Sequence, residues 1–219
     1  MAKKKTINET ILIELYMDFV LVHNHKPKSV YAFAKDNNFE ESKFYEFFGN
    51  FEALEQSIFK VFFDNAHNVL GKSDEYLTFD PQNKLLSFYF TFFEILTANR
   101  SYVVHALEAA NNNSMKSLKT LVPLKKKFTN YIEQLNIKTV DLKQEQLVRL
   151  QNRSLKESAW FQFLVTLKFW LDDSSPSFEK TDIFIEKSVK ASFDLIDTTP
   201  LKSIIDFGKF LYKEKMNTN

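Results

Sequence analysis

Cysteine is absent from the 219-residue chain, which excludes disulfides, thiolate metal sites and cysteine nucleophiles. Glycine and proline are scarce, at three and five copies, together about 4% of the chain against about 12% in average usage. So few turn-formers leave little with which to build the hairpins of a many-stranded sandwich or barrel. They also rule out the glycine clusters of a dinucleotide-binding turn or a phosphate-cradling loop. The longest stretch without Asp, Glu, Lys or Arg covers only residues 158–167, far short of a membrane span. Glu9 and Glu14 interrupt the apolar region that a signal peptide opening on Lys3, Lys4 and Lys5 would need. No leader is therefore expected, and the expected location is the cytoplasm.

What the chain has in quantity is aromatic carbon, with 24 Phe and 16% aromatic residues. With a net charge of only +1 at pH 7, the pattern reads as an all-α protein with an aromatic-rich core. The spacing of Ile11, Leu15, Phe19 and Val22 predicts a helix over 7–23, ended near Pro27. Short helices over 29–35 and 40–47 follow, with Ser29 and Asn38 as candidate N-caps. After Gly49 and Asn50 a longer helix carries Leu54, Ile58, Val61, Phe62 and Val69 on one face and stops near Gly71. Residues 85–96 are apolar nearly all round, as in a helix buried on most sides. Further helices are expected over 102–111, 123–135, 142–152, 154–171, 178–196 and 201–213. The division drawn from these patterns is a small N-terminal bundle, 1–56, and a larger helical domain, 57–219.

Short helix, turn, short helix and then a long helix is the outline of a helix-turn-helix unit. The residues over 28–54, KSVYAFAKDNNFEESKFYEFFGNFEAL, go further. Ser29 opens the second helix, Phe33 and Ala34 form an apolar-Ala pair, Tyr45 to Phe48 end the third helix, and Glu52 to Leu54 begin the fourth. On these positions the segment resembles the N-terminal domain of the tetracycline-repressor family of bacterial regulators, with the close likeness confined to about residues 7–70. The resemblance implies a homodimer whose second and third helices meet DNA and whose C-terminal domain binds a small molecule. It implies phosphate or base contacts from Ser29, Ser42, Lys43 and Tyr45. Where the family places a phosphate-binding lysine at the start of the fourth helix, this chain has Phe51.

From Ser29 to Glu55 there are two cations and six anions, a net charge of −4. Phosphate neutralisation supplies nearly all non-specific affinity for DNA, so an acidic reading head opposes that term. A Glu can accept a hydrogen bond from cytosine N4, which restores one contact and not the field. Two readings stay open. One is a ligand-responsive transcriptional repressor; the other is a protein of the same fold that has lost DNA binding and serves as a lipid-binding or protein-partner module.

Nothing in the sequence argues for catalysis or for a cofactor. His23 and His25 are two apart, a spacing that on a helix points them to different faces and makes no ready metal pair; His67 and His105 stand singly, and no metal site is expected. Asp172 and Asp173 read as a solvated helix end. The aromatic stripes fit a core, and also a pocket cut into that core and bordered by Phe88, Phe92, His105, Trp160 and Phe163. Few charges converge on those positions, so the expected ligand is apolar: a fatty acyl chain, a quinone or a similar lipid. The resemblance places dimerisation on the helices over 154–171 and 178–196, to which Ile183, Val189, Phe193 and Ile196 would contribute apolar surface.

Overall fold

The computed structural model describes residues 7–108, 119–138 and 145–197. Among the described residues every regular element is helical. Helix α1 (Glu9–His23) starts at Asn8, whose side chain accepts from the Ile11 N–H at 2.9 Å. It stops at Asn24, which turns left-handed at φ 55°. Helix α2 (Val30–Asp36) is capped by Ser29, which accepts from the Ala32 N–H at 3.1 Å. Asn38, also left-handed at φ 57°, carries the turn into α3 (Glu41–Tyr45). That helix is shorter than the 40–47 segment expected from the pattern. Its end is drawn in by the Phe47 and Phe48 N–H groups, both of which donate to the Phe44 carbonyl.

Helix α4 (Phe51–Leu70) begins with Asn50 accepting from the Ala53 N–H at 2.8 Å. A five-residue helix, α5 (Asp74–Thr78), follows behind a Ser73 cap; hydropathy alone gives no sign of it, because one turn is too short to set a period. Then come α6 (Pro81–Ala98), α7 (Arg100–Glu108) and α8 (Val122–Gln134). The separate helices expected over 142–152 and 154–171 are one helix, α9 (Glu145–Asp172), in the described residues. Neither Gly nor Pro interrupts that stretch, and the weakly helical Asn152 and Ser154 sit on its exposed side, where poor propensity costs only tenths of a kcal/mol. A 3-10 turn at Pro176–Phe178 leads into α10 (Glu179–Asp197). The helix expected over 201–213 lies outside the described residues.

Two compact units are present. Among the described residues the first contains 7–69, 91–108 and 119–128, and the second contains 70–90, 129–138 and 145–197. The first is built around Phe33, which is fully buried and meets Tyr16, Phe39, Phe44 and Phe51 edge-on at ring-centre separations of 5.6–6.4 Å. Edge-to-face packing at such distances adds to the area term because ring quadrupoles attract in that geometry. The second unit buries Trp170, Ile185, Val189 and Phe163. A buried polar contact in this unit pairs Tyr76 and Tyr131 at 2.9 Å; the Tyr131 hydroxyl donates to the Lys84 carbonyl, so the Tyr76 hydroxyl is the donor within the pair.

Candidate functional site

The four residues expected at DNA all belong to the α2–α3 segment, and each is exposed. Ser29 already uses its hydroxyl oxygen as the α2 cap, although its O–H remains able to donate. Lys43 is tied to Glu46 one turn along, with Nζ 2.6 Å from the carboxylate; that hydrogen bond and the accompanying charge raise the lysine pKa. The Tyr45 hydroxyl donates to Glu41 at 3.3 Å; burial first, and then the Glu41 charge, raise its pKa. Ser42 lies between these two pairs and stays open to solvent. Two of these four groups, Lys43 and Tyr45, are therefore engaged by neighbouring carboxylates, and Ser29 and Ser42 are not.

Phe51, at the position of the family's lysine, is part of the ring cluster: it stacks on Tyr16 at 5.4 Å and meets Phe44 at 5.3 Å. Beside it, α4 supplies Glu55, whose side chain is only 14% exposed. Glu55 accepts from the Tyr16 hydroxyl at 2.5 Å, and Lys26 Nζ lies 2.5 and 2.6 Å from its two oxygens. A second cation near the head is thus neutralised within the chain. Burial, then the Glu55 charge, push the Tyr16 hydroxyl far above its ordinary pKa. Tyr102 on α7 is 2% exposed, and its hydroxyl has no hydrogen-bond partner among the described residues.

The residues expected to border a pocket are divided between the two compact units. Phe88, Trp160 and Phe163 are buried in the second, where Trp160 stacks on Phe163 at 5.1 Å, Phe163 lies 6.1 Å from Tyr89, and Phe88 lies 4.8 Å from Tyr131. Phe92 is fully buried and His105 half-buried in the first.

Helices α9 and α10 pair through a Phe169–Phe184 stack at 4.5 Å and through Gln162, which donates to Ser188 at 3.3 Å and accepts from Ser192 at 3.0 Å. Of the apolar positions proposed for an outer face, Ile183 is 50% exposed, while Phe193 and Ile196 are half-buried. Val189 is fully buried within the chain and offers no outer surface. Phe161, Val165 and Leu195 are the exposed apolar residues that the sequence did not single out for this face. An open groove of about 460 Å³ runs over Phe169, Ile183, Phe184 and Ser188, flanked by Lys180 and Lys187. Neither lysine forms an ion pair among the described residues.

Asp173, expected in solvent, is instead buried at the turn between these helices. One carboxylate oxygen accepts from the Ser175 N–H at 2.8 Å and hydroxyl at 2.7 Å, the other from the Thr181 N–H at 3.0 Å and hydroxyl at 2.7 Å. Burial alone would raise its pKa; the bonds from Ser175 and Thr181 outweigh that and hold the carboxyl well below the usual range. The signal in the sequence was the pair of hydroxyl residues at Ser175 and Thr181, close to the start of α10. The histidines also differ from the helical reading: the rings of His23 and His25 lie 5.9 Å apart. No group of three or more His, Asp or Glu is assembled for a metal among the described residues, and no helix there is long and apolar enough to cross a membrane.

In comparison with known families, the model described as the tetracyclin repressor-like C-terminal domain matches residues 84–211. A search of curated proteins finds no match.

Proposed function

The chain belongs to the tetracyclin repressor-like family, a family of regulators rather than catalysts, and on that premise we propose that it is a ligand-responsive transcriptional regulator acting as a DNA-binding homodimer. In this reading residues 1–56 form a helix-turn-helix head and 57–219 a ligand-binding and dimerisation domain. The carrying observation is the family match over the C-terminal stretch, joined to a short helix–turn–short helix in which Ser29, Ser42, Lys43 and Tyr45 are all exposed. Dimerisation runs through α9 and α10, whose exposed Phe161, Ile183 and Leu195 form apolar surface suited to a second copy. An apolar ligand held in the C-terminal domain favours one of two head arrangements and so changes affinity for DNA. A salt-dependent binding titration on the DNA upstream of the chain's own gene is the test. Sequence-specific binding sustains the proposal; no binding at low salt sinks it.

A second reading has its own observation. The Lys43–Glu46 and Lys26–Glu55 pairs, with Phe51 inside the ring cluster, leave few cations to release counterions from a duplex. They favour a protein that keeps the fold and binds a lipid or a protein partner without DNA. The same titration separates the two readings.

A further inference from the structure

We propose that His23 and His25 form a binding site for a late first-row divalent metal ion of the Zn²⁺, Ni²⁺ or Cu²⁺ class at the end of α1. On a continuous helix, residues two apart diverge by about 200°. Here the helix ends at His23, and Asn24 adopts the left-handed conformation, φ 55° and ψ 23°, with its N–H donating to the Val20 carbonyl at 2.8 Å. The chain turns back, and His25 returns beside His23 with ring centres 5.9 Å apart and planes at 51°.

A backbone carbonyl orients each ring through its Nδ1. His23 Nδ1 lies 2.9 Å from the Phe19 carbonyl oxygen, and His25 Nδ1 lies 2.8 Å from that of Lys26. A carbonyl only accepts, so each Nδ1 carries the proton, which leaves Nε2 as the nitrogen of each ring available to an ion. Support of this kind, from a carbonyl behind the ring, is the usual way a ligating histidine is oriented. Phe19 fixes the pair further, stacking on His23 at 4.1 Å and meeting His25 edge-on at 5.9 Å.

The spacing fits one ion. With metal–nitrogen bonds of about 2.0–2.1 Å, two imidazoles on a tetrahedral ion have ring centres about 5 Å apart, within reach of a small rotation of these two exposed side chains from 5.9 Å. Imidazole nitrogen selects zinc, nickel and copper over magnesium and calcium. Both side chains are exposed, so water or an exchangeable ligand completes the coordination. An ion here would tie the end of α1 to the segment that leads through Pro27 to the Ser29 cap of α2. This inference is independent of whether the head binds DNA.

The test is calorimetric titration of the untagged, metal-free full chain with NiCl₂, and with MgCl₂ as the control. One Ni²⁺ per chain, released by EDTA, with no saturable response to Mg²⁺, is expected. His23→Ala and His25→Ala should each weaken Ni²⁺ binding at least tenfold, and a His67→Ala variant should leave it unchanged. Because His23→Ala also removes the stack on Phe19, His25→Gln serves as the variant that keeps that stack, and it should show the same loss. Absence of saturable Ni²⁺ binding by the unmodified chain overturns the proposal, as does binding that survives in His25→Gln.

Discussion

Two places in the chain, the Lys43 face of α3 and the groove beside α10, present positive charge in opposite ways, although Lys35 on α2 has no ion pair among the described residues and Lys156 and Lys168 on α9 each have one. In the first, Lys43 is bound to Glu46, and ahead of α2 Lys26 is bound to Glu55. In the second, Lys180 and Lys187 have no ion pair among the described residues and stand at the edge of an apolar groove. Where cations are paired in advance, an anionic partner must first displace a carboxylate, and the exchange returns only a difference between two similar contacts. Unpaired cations beside apolar surface carry no such exchange cost. The lesson concerns availability: the number of lysines in a segment says little until their partners are known.

The largest effect that would break this comparison comes from the apolar face. Ile183→Asp places a charge where a second copy is proposed to pack, at a position exposed enough within one chain to leave the fold intact. Light scattering should show the molar mass fall to that of a monomer at micromolar concentration with helix content unchanged. An unchanged dimer would mean that the copies meet elsewhere.

The head offers the sharpening test. Glu46→Gln releases Lys43 from its ion pair and removes one negative charge from the surface proposed to meet DNA. Generic duplex DNA should then bind several-fold more tightly at low salt, with a salt dependence steeper by about one counterion. If binding and slope stay as they were, Lys43 does not face the duplex and the pairing at the head is irrelevant to DNA.

A smaller effect is expected at the turn between α9 and α10. Asp173→Asn removes a carboxylate that accepts four hydrogen bonds, so the melting temperature should fall at neutral pH. The folded-state pKa of Asp173 lies below its unfolded value. Its stabilisation is therefore complete above the ordinary Asp pKa of about 3.9, and fades as pH falls from there toward the depressed folded value. Thermal melts of both proteins should converge as pH is lowered through that window; a gap that stays constant would assign the loss to shape and not to charge.

The smallest change sets Tyr102 against Tyr131. Tyr102→Phe removes a buried hydroxyl with no partner among the described residues, so stability should hold or rise by up to about 1 kcal/mol. Tyr131→Phe removes a hydroxyl that bonds both Tyr76 and Lys84, and it should lose about 1–3 kcal/mol. Urea denaturation of the two variants decides between these expectations, and equal losses would show that the Tyr102 hydroxyl has an unrecognised role.

Helical periodicity carried most of what could be read in advance. Helices α1, α4 and α6 are long enough for a repeat of 3.6 to show through, and Ser29 marks its own cap. The rest depended on relations that spacing does not encode. Ile183 and Val189 look alike on α10, and only the position of α9 makes one outer and the other buried. Asp173 reads as solvated until the turn brings Ser175 and Thr181 back to it. His23 and His25 diverge on any helical wheel, and it is the left-handed Asn24 that brings them together. Lys43 was legible as a residue facing outward, whereas its capture by Glu46 is a matter of side-chain geometry.

The left-handed corners at Asn24, Asn38 and Asn136 have a consequence for the disordered chain as well as for the native one. Glycine is the usual occupant of such corners and leaves the unfolded backbone with the widest choice of conformations. An asparagine narrows that choice, which reduces the entropy lost on folding by roughly 0.4–1 kcal/mol per corner. The steric cost of a left-handed residue with a Cβ offsets part of this, and less for asparagine than for most residues. A chain with almost no glycine can thus turn sharply while keeping its unfolded ensemble comparatively restricted.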